Sequence, residues 1–320
     1  MRETKPQMPA PQVLDSVVDG FPALTLRAGQ LQATYVPGVG MVCCSFRHAE
    51  VELLGQRHGL SAYAQRSSTM GIPLLHPWAN RLERLGYEAG TARIKLPHDS
   101  PHIHLDGNDR PIHGLLAACP DWRIVHRTAD TESANLEATL DVAQLPEVLE
   151  LFPFPHELRI AVTLTPDSLR VETTLTPSSD VAVPVAFGYH PYLTLPDTPR
   201  AEWLVSLPVR ERAILDAGSI PTGETVETEP VEGALEDRVY DDLFTRLEAD
   251  PLFTVTGRDR EITVAFGSGY EVAVVYAPAD DDVICFEPMT APTNPFDGAG
   301  ALRWAEPGRP FSATFAISVK

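Results

Sequence analysis

Alternation of period two dominates the chain. In ELRIAVTL, the residues Leu158, Ile160, Val162 and Leu164 fall on one face, and in LRVETTL so do Leu169, Val171, Thr173 and Leu175. Successive side chains of a strand point to opposite faces, so each run reads as a half-buried strand. The intervening TPDS supplies turn residues, and the two runs predict a β-hairpin with a proline-containing loop. A second hairpin is predicted from EITVAF-GSG-YEVAVVY, where Ile262, Val264 and Phe266 are answered by Tyr270, Val272, Val274 and Tyr276. Further strands are expected at LQATYV, MVCCSF, WRIVHR and ANLEATLDV. Helical periodicity is weak, with short helices expected only within residues 57–66 and 140–150. Many strands at short spacing with hairpin turns predict an all-β fold, a large antiparallel sandwich or barrel. No internal repeat or shift in composition divides the chain. Residues 1–320 therefore read as a single domain, with residues 1–20 a loosely ordered N-terminal segment.

Composition sharpens this picture. Thirty prolines in 320 residues are about twice the usual share of ~5%. They recur from Pro6 to Pro310 and leave little room for long helices. Hydrophobic residues make up 43% of the chain, enough for a sizeable core. The formal net charge of −19 argues against a nucleic-acid partner, because neutralising phosphates takes a surplus of Lys and Arg. It disfavours an anionic membrane surface for the same reason. The opening MRETKPQMPAPQVLDSVVDG has no apolar run, so neither a signal peptide nor a membrane anchor is expected. No later segment approaches the ~18 apolar residues of a membrane span. The cysteines are Cys43, Cys44, Cys119 and Cys285, with no CxxC pair; a disulfide framework or zinc cluster is not indicated, and a cytoplasmic location is expected.

Four segments place titratable residues in apolar surroundings: GIPLLHPWANRLERLGY with Asn80 and Arg81, RPIHGLLAACPDW with His113, FGYHPYL with His190, and VICFEPMTAPTNPF with Glu287. His190 and Glu287 each precede a proline, which crowds the helical region of the preceding residue and holds it extended. A carboxylate at the end of an apolar strand is costly unless it is paired or used. A lone histidine so placed is ordinarily a hydrogen-bonded core residue, so its meaning depends on whether the other segments join it. PHIHLDGNDRPIHG also offers His102, His104 and His113 to a metal, since alternate residues of a strand share a face. No glutamate follows at a supporting spacing, and Pro101, Gly107 and Asn108 read as a loop; no metal is expected. Neither a GxSxG elbow nor a phosphate-cradling glycine loop occurs.

Taken in order, PLLHPWANR, IHG followed by a Trp, FGYHPYL, DDLF and CFEPMTAPTNPF resemble the aldose 1-epimerases, or galactose mutarotases, specifically a divergent bacterial branch. The resemblance runs from about residue 71 to 296. It implies a large antiparallel β-sandwich of the galactose mutarotase type and an isomerase without cofactor or metal. Such an enzyme interconverts the α and β anomers of a free monosaccharide by ring opening and closing. It further implies Glu287 as the base, His190 as the acid, and Asn80, Arg81, His113 and Asp241 as sugar-binding residues. Asp242 rivals Asp241 by a one-residue shift, Arg81 could pair with Glu83, and Asp241 could cap a short helix. Galactose mutarotases carry a Gln-Pro before the catalytic Glu; here Ala277-Pro278 stands in its place, which puts a preference for galactose in doubt. A hexose 6-phosphate mutarotase would need a cationic pocket, for which Arg84 and Arg66 are the nearest candidates. A non-catalytic sugar-binding domain of the same fold would be expected to lose the acid or the base, and this chain has both. A monomer or weak dimer is expected.

Overall fold

A computed structural model describes residues 10–65, 68–297 and 302–320. The first predicted hairpin forms as expected. His156–Leu164 pairs antiparallel with Ser168–Pro177, with Val162 opposite Val171 and Leu164 opposite Leu169. Leu158, Ile160, Val162 and Leu164 are buried, as are Leu169, Val171, Thr173 and Leu175. These strands belong to a nine-stranded antiparallel sheet that runs from Arg123–Ala129 at one edge to Val231–Ala234 at the other. A second, eight-stranded sheet contains Val209–Leu215, Tyr240–Leu247, Val272–Ala277, Ile284–Met289 and the short strands Gly188–Tyr189, Tyr192–Leu193 and Leu74–Leu75. A five-stranded meander formed within residues 12–52 packs against the same core. Gln12–Val18 is its first strand, paired throughout with Phe21–Ala28, so these residues of the expected loose N-terminal segment are ordered by a ladder. The helices are short: Leu60–Ala64, and Pro146–Leu151 preceded by the 3-10 turn Val142–Gln144.

The second predicted hairpin does not form. Glu261–Phe266 pairs with Leu252–Thr256 and Phe311–Val319 in the nine-stranded sheet, whereas Val272–Ala277 pairs with Tyr240–Leu247 and Ile284–Met289 in the other. The GSG segment therefore carries the chain between sheets. A Cβ on Gly269, which has φ +88°, would sit 2.8 Å from the Ser312 carbonyl oxygen, so the crossing hugs Phe311–Val319 where a larger residue could not. Alternation reports which face of a strand is buried but not which strand lies beside it.

Val272–Ala277 and Ile284–Met289 are buried on both faces. Ala273, Val275, Ile284 and Phe286 face the main core, where the Phe286 ring lies 5.5 Å from Phe253 of the opposing sheet. Burial of one such aromatic contributes about 1.5–3 kcal/mol. The other face carries Val272, Val274, Cys285, Glu287 and Met289, roofed by loops and by the small ladder of His104–Leu105 with Pro111–Ile112. Polar residues can gather only on that second face.

Candidate active site

Glu287 follows from the alternation of its strand. With Ile284 and Phe286 turned into the core, Cys285, Glu287 and Met289 point the other way. Glu287 lies opposite Val274 in the ladder and is 2% exposed, so its carboxylate stands on an apolar floor.

His190 reaches the same floor from the neighbouring chain segment. Gly188 pairs with both Met289 and Leu75, so two strands grip the segment just before the histidine. Tyr189 turns inward, its hydroxyl 2.7 Å from that of Thr173, and His190 turns outward. Beyond Pro191 the strand resumes, with Tyr192 opposite Cys285. His190 and Tyr192, two residues apart in extended backbone, share a face; their rings stack with centroids 4.2 Å apart and planes 10° apart. His190 Nε2 lies 3.3 Å from Glu287 Oε1.

Asn80, Arg81 and His113 come from loops that zip together above this floor. Arg81 bridges to Ile112, His76 to Gly114, and the His113 amide donates to the Asn80 carbonyl. His113 is placed by two unusual backbone conformations, its own φ of +65° and that of Gly114 at +75°. A Cβ on Gly114 would lie 2.1 Å from the His76 carbonyl oxygen, so only glycine allows this approach. That oxygen accepts from the amides of Leu115 and Leu116. His76 is itself braced from the opposite sheet: His156 Nδ1 donates to the Phe154 carbonyl, which leaves its Nε2 to accept from His76 Nε2–H at 2.9 Å. Burial holds both rings below the ordinary histidine value, His156 down to about 4.

Arg81 donates through Nε to Asp106 at 2.8 Å and through Nη1 to Asn80 Oδ1 at 3.2 Å, and its Nη2 lies 3.5 Å from Asp241. It pairs with these groups rather than with Glu83. Asp241, opposite Tyr276 in the ladder, lines the cleft on the strand face shared with Leu243. Asp242 has the opposite facing and is ion-paired with Arg212 at 2.9 Å. The alternation thus separates the two aspartates, and Asp241 does not cap a helix. Ala277 packs into the core while its neighbour Tyr276 lines the cleft.

All six predicted residues line one cleft of about 430 Å³. Burial pushes the Glu287 carboxyl well above the usual carboxylate range, with the Asp241 charge adding to the shift and Arg81 opposing it. Burial first, then His113, Arg57 and Arg81, drives the His190 imidazole well below its ordinary value. His113 is held down to about 3, by burial and then by His104 and the two arginines. The environment favours the neutral forms of Glu287 and His190 together.

Several lining residues escaped the sequence reading. Tyr192 stands within the FGYHPYL segment, two residues after His190, and strand alternation alone would have found it. Asp106 lies in a stretch read only as a loop; its Oδ1 accepts from the Asn108 and Arg110 amides, and these, with Arg81, outweigh burial and hold its carboxyl below the usual range. Arg57, just before the first helix at φ +45°, carries no local signal. His102 does not join the cleft and lies 2.7 Å from Glu147. Among the described residues no three His, Cys, Asp or Glu side chains converge as a metal site, and no helix is long and apolar enough to cross a membrane. All four cysteines are buried and none is in a disulfide.

Comparison with known proteins places this arrangement. The galactose mutarotase-like protein of Clostridium acetobutylicum superposes with a TM-score of 0.85 at 18% identity, over 97% of this chain and 99% of that one. An aldose epimerase homologue from C. elegans superposes with a TM-score of 0.66 at 15% identity, over 97% and 99% of the two chains. At such identities the likeness establishes the fold, an antiparallel β-sandwich of the galactose mutarotase type. The uncharacterized protein YihR of Escherichia coli strain K12 is 25% identical over 266 residues, 77% of this chain and 80% of that protein. The model of the aldose 1-epimerase family matches residues 22–318. With nearly its whole length matched, the chain belongs to the aldose 1-epimerase family.

Proposed function

We propose that the protein is an aldose 1-epimerase that interconverts the anomers of a free, uncharged aldose, with Glu287 as base and His190 as acid. The observation that carries this reading is the 3.3 Å approach of His190 Nε2 to Glu287 Oε1 on the floor of a polar cleft. The anomeric hydroxyl and the ring oxygen are bonded to the same carbon, so a base serving one and an acid serving the other must be neighbours. In opening, Glu287 takes the hydroxyl proton, the bond from the anomeric carbon to the ring oxygen breaks, and that oxygen takes the Nε2 proton of imidazolium His190. The aldehyde rotates. In closing, the carboxylic acid returns its proton to the aldehyde oxygen, the ring oxygen attacks the other face, and His190 recovers its proton. Opening thus turns carboxylate and imidazolium into a neutral pair, the state that burial favours for both groups. Asn80, Arg81, His113 and Asp241 serve as hydroxyl-binding groups around that pair.

A neutral sugar is favoured because the cleft's cations are already matched. Arg81 meets Asp106 and Asp241, and Arg57 lies 3.4 Å from Asp281. Arg84 is ion-paired with Asp297 and is absent from the lining, while Arg66 lies outside the described residues. A phosphate entering here would meet no spare positive charge among the described residues. Anomer exchange by NMR should therefore be faster for a free hexose than for its 6-phosphate, and faster exchange of the phosphorylated sugar would overturn this substrate class.

A further inference from the structure

His190 Nε2 has a second neighbour at the same distance as Glu287: the Tyr192 hydroxyl, also at 3.3 Å. Tyr192 is 1% exposed, and its hydroxyl is held on the far side by Arg57, whose Nη1 donates to it at 3.1 Å. Thr69 Oγ1 lies 2.5 Å from the same oxygen. The guanidinium carbon of Arg57 stands 5.0 Å from the Tyr192 ring centroid, and the Gly55 amide, two residues before Arg57, donates to the Tyr192 carbonyl at 2.8 Å. Side chain and backbone both join the Arg57 loop to the tyrosine. On the other edge of the imidazole, His190 Nδ1 is buried with no hydrogen-bond partner among the described residues. The orientation of the ring is therefore set from the Nε2 side and by the stack.

We infer that Arg57 and Tyr192 form a clamp that fixes the plane of the His190 imidazole and so aims Nε2 at the reacting oxygen, Tyr192 acting as a positioning residue and Arg57 acting through it. The inference rests on the mutarotase reading of the cleft. Arg57 Nη1–H occupies one lone pair of the phenol oxygen, and the Thr69 hydroxyl takes a second place on it as donor or acceptor. Two partners therefore pin the tyrosine ring on which the imidazole is stacked. Because the rings are nearly parallel, the hydroxyl contacts Nε2 from above the imidazole face and leaves its in-plane proton or lone pair to the reacting oxygen. Burial holds the Tyr192 phenol far from ionisation, so it remains a donor. The stacked ring adds what a serine hydroxyl could not, a surface that fixes the plane of the imidazole.

Tyr192→Phe keeps the stack and removes only the hydroxyl. It should lower kcat for anomer exchange about tenfold, the scale of one hydrogen bond, with KM changed by less than about twofold. Arg57→Met should lower kcat similarly, and the double variant should be no slower than Tyr192→Phe alone, because the arginine acts through that hydroxyl. Arg57→Lys, which keeps a donor, should retain most of the rate and carries the test if Tyr192→Phe fails to fold. Imidazole ¹⁵N NMR, with the His190 signal assigned by its loss in His190→Asn, reads the clamp without any sugar: Tyr192→Phe and Arg57→Met should shift the Nε2 resonance in the same direction. Folded Tyr192→Phe with the parent kcat, multiplicative effects in the double variant, or an unmoved Nε2 resonance would overturn the inference. If the parent exchanges no aldose, the mutarotase reading fails on its own, and the resonance alone decides whether the clamp exists.

Discussion

The His76–His156 contact makes a prediction whose sign changes with pH. In the native state His156 is fully buried and neutral, donating to Phe154 and accepting from His76, with its pKa lowered from 6.5 to about 4. A group depressed in this way contributes stability that is present above the unfolded value and is lost as pH falls toward the folded value. At pH 5.5 the unfolded chain protonates this histidine and the native chain does not. One pH unit below 6.5, at 1.36 kcal/mol per unit, His156 alone withdraws about 1.4 kcal/mol relative to pH 7.5. His156→Gln removes the titration while its amide oxygen can still accept from His76. At pH 7.5 the variant should be less stable than the parent by about 0.5–1.5 kcal/mol, the scale of an imperfectly remade hydrogen bond. At pH 5.5 that deficit should shrink by about 1.4 kcal/mol, bringing the variant level with the parent or above it. Urea unfolding at the two pH values measures both differences, and the range stays above the region where most of the charge of −19 would be titrated away. A deficit that is equal at pH 7.5 and 5.5 would refute the assignment of His156 as a native-neutral histidine.

Two further outcomes test how the cleft is held. Gly114→Ala should destabilise the fold by about 2–4 kcal/mol, combining a left-handed alanine with loss of the amide bonds to the His76 carbonyl, and should impair anomer exchange through displacement of His113; melting close to the parent would show that the His76–Gly114 contact is not tight. Asp241→Asn should reduce kcat/KM for exchange by roughly 10–100-fold, the scale of a hydrogen bond to a charged group, whereas Asp242→Asn, on the opposite strand face, should stay within about twofold. Steady-state exchange rates on both variants decide between the two aspartates, and a larger loss in Asp242→Asn would reverse the facing described here.

What could be read in the sequence was what short-range alternation encodes. The hairpin spanning residues 157–175 was legible because its strands, turn and register lie within one continuous stretch. The segment from Glu261 to Tyr276 shows the boundary: both runs alternate and both are buried, yet each pairs away from the other, with Leu252–Thr256 and Phe311–Val319 on one side and with Tyr240–Leu247 and Ile284–Met289 on the other, and the GSG link crosses between sheets. The cleft divides in the same way. His190 and Glu287 stand out as polar interruptions of apolar strands, and Tyr192 could have been added from its spacing to His190. Arg57 and Asp106 could not, because a loop residue's neighbours are fixed by tertiary contacts such as Gly55 with Tyr192 and Asp106 with Arg81. His156 stands just before the predicted strand ELRIAVTL, and nothing near it in sequence points across the sandwich to His76.

The most direct test of the acid–base account is anomer exchange in Glu287→Gln, followed by NMR on an aldose that the parent turns over. Glutamine keeps the shape and hydrogen bonding of Glu287 but cannot accept the anomeric proton. The fold should tolerate it: the raised pKa of Glu287 means that its stabilising contribution is full below the unfolded carboxylate value and lost as pH rises, so a neutral amide should be at least as stable as the parent at pH 8. The account predicts an exchange rate lower by roughly 10²–10⁴, with sugar affinity and melting temperature preserved. Exchange at nearly the parent rate in a folded Glu287→Gln protein would contradict it.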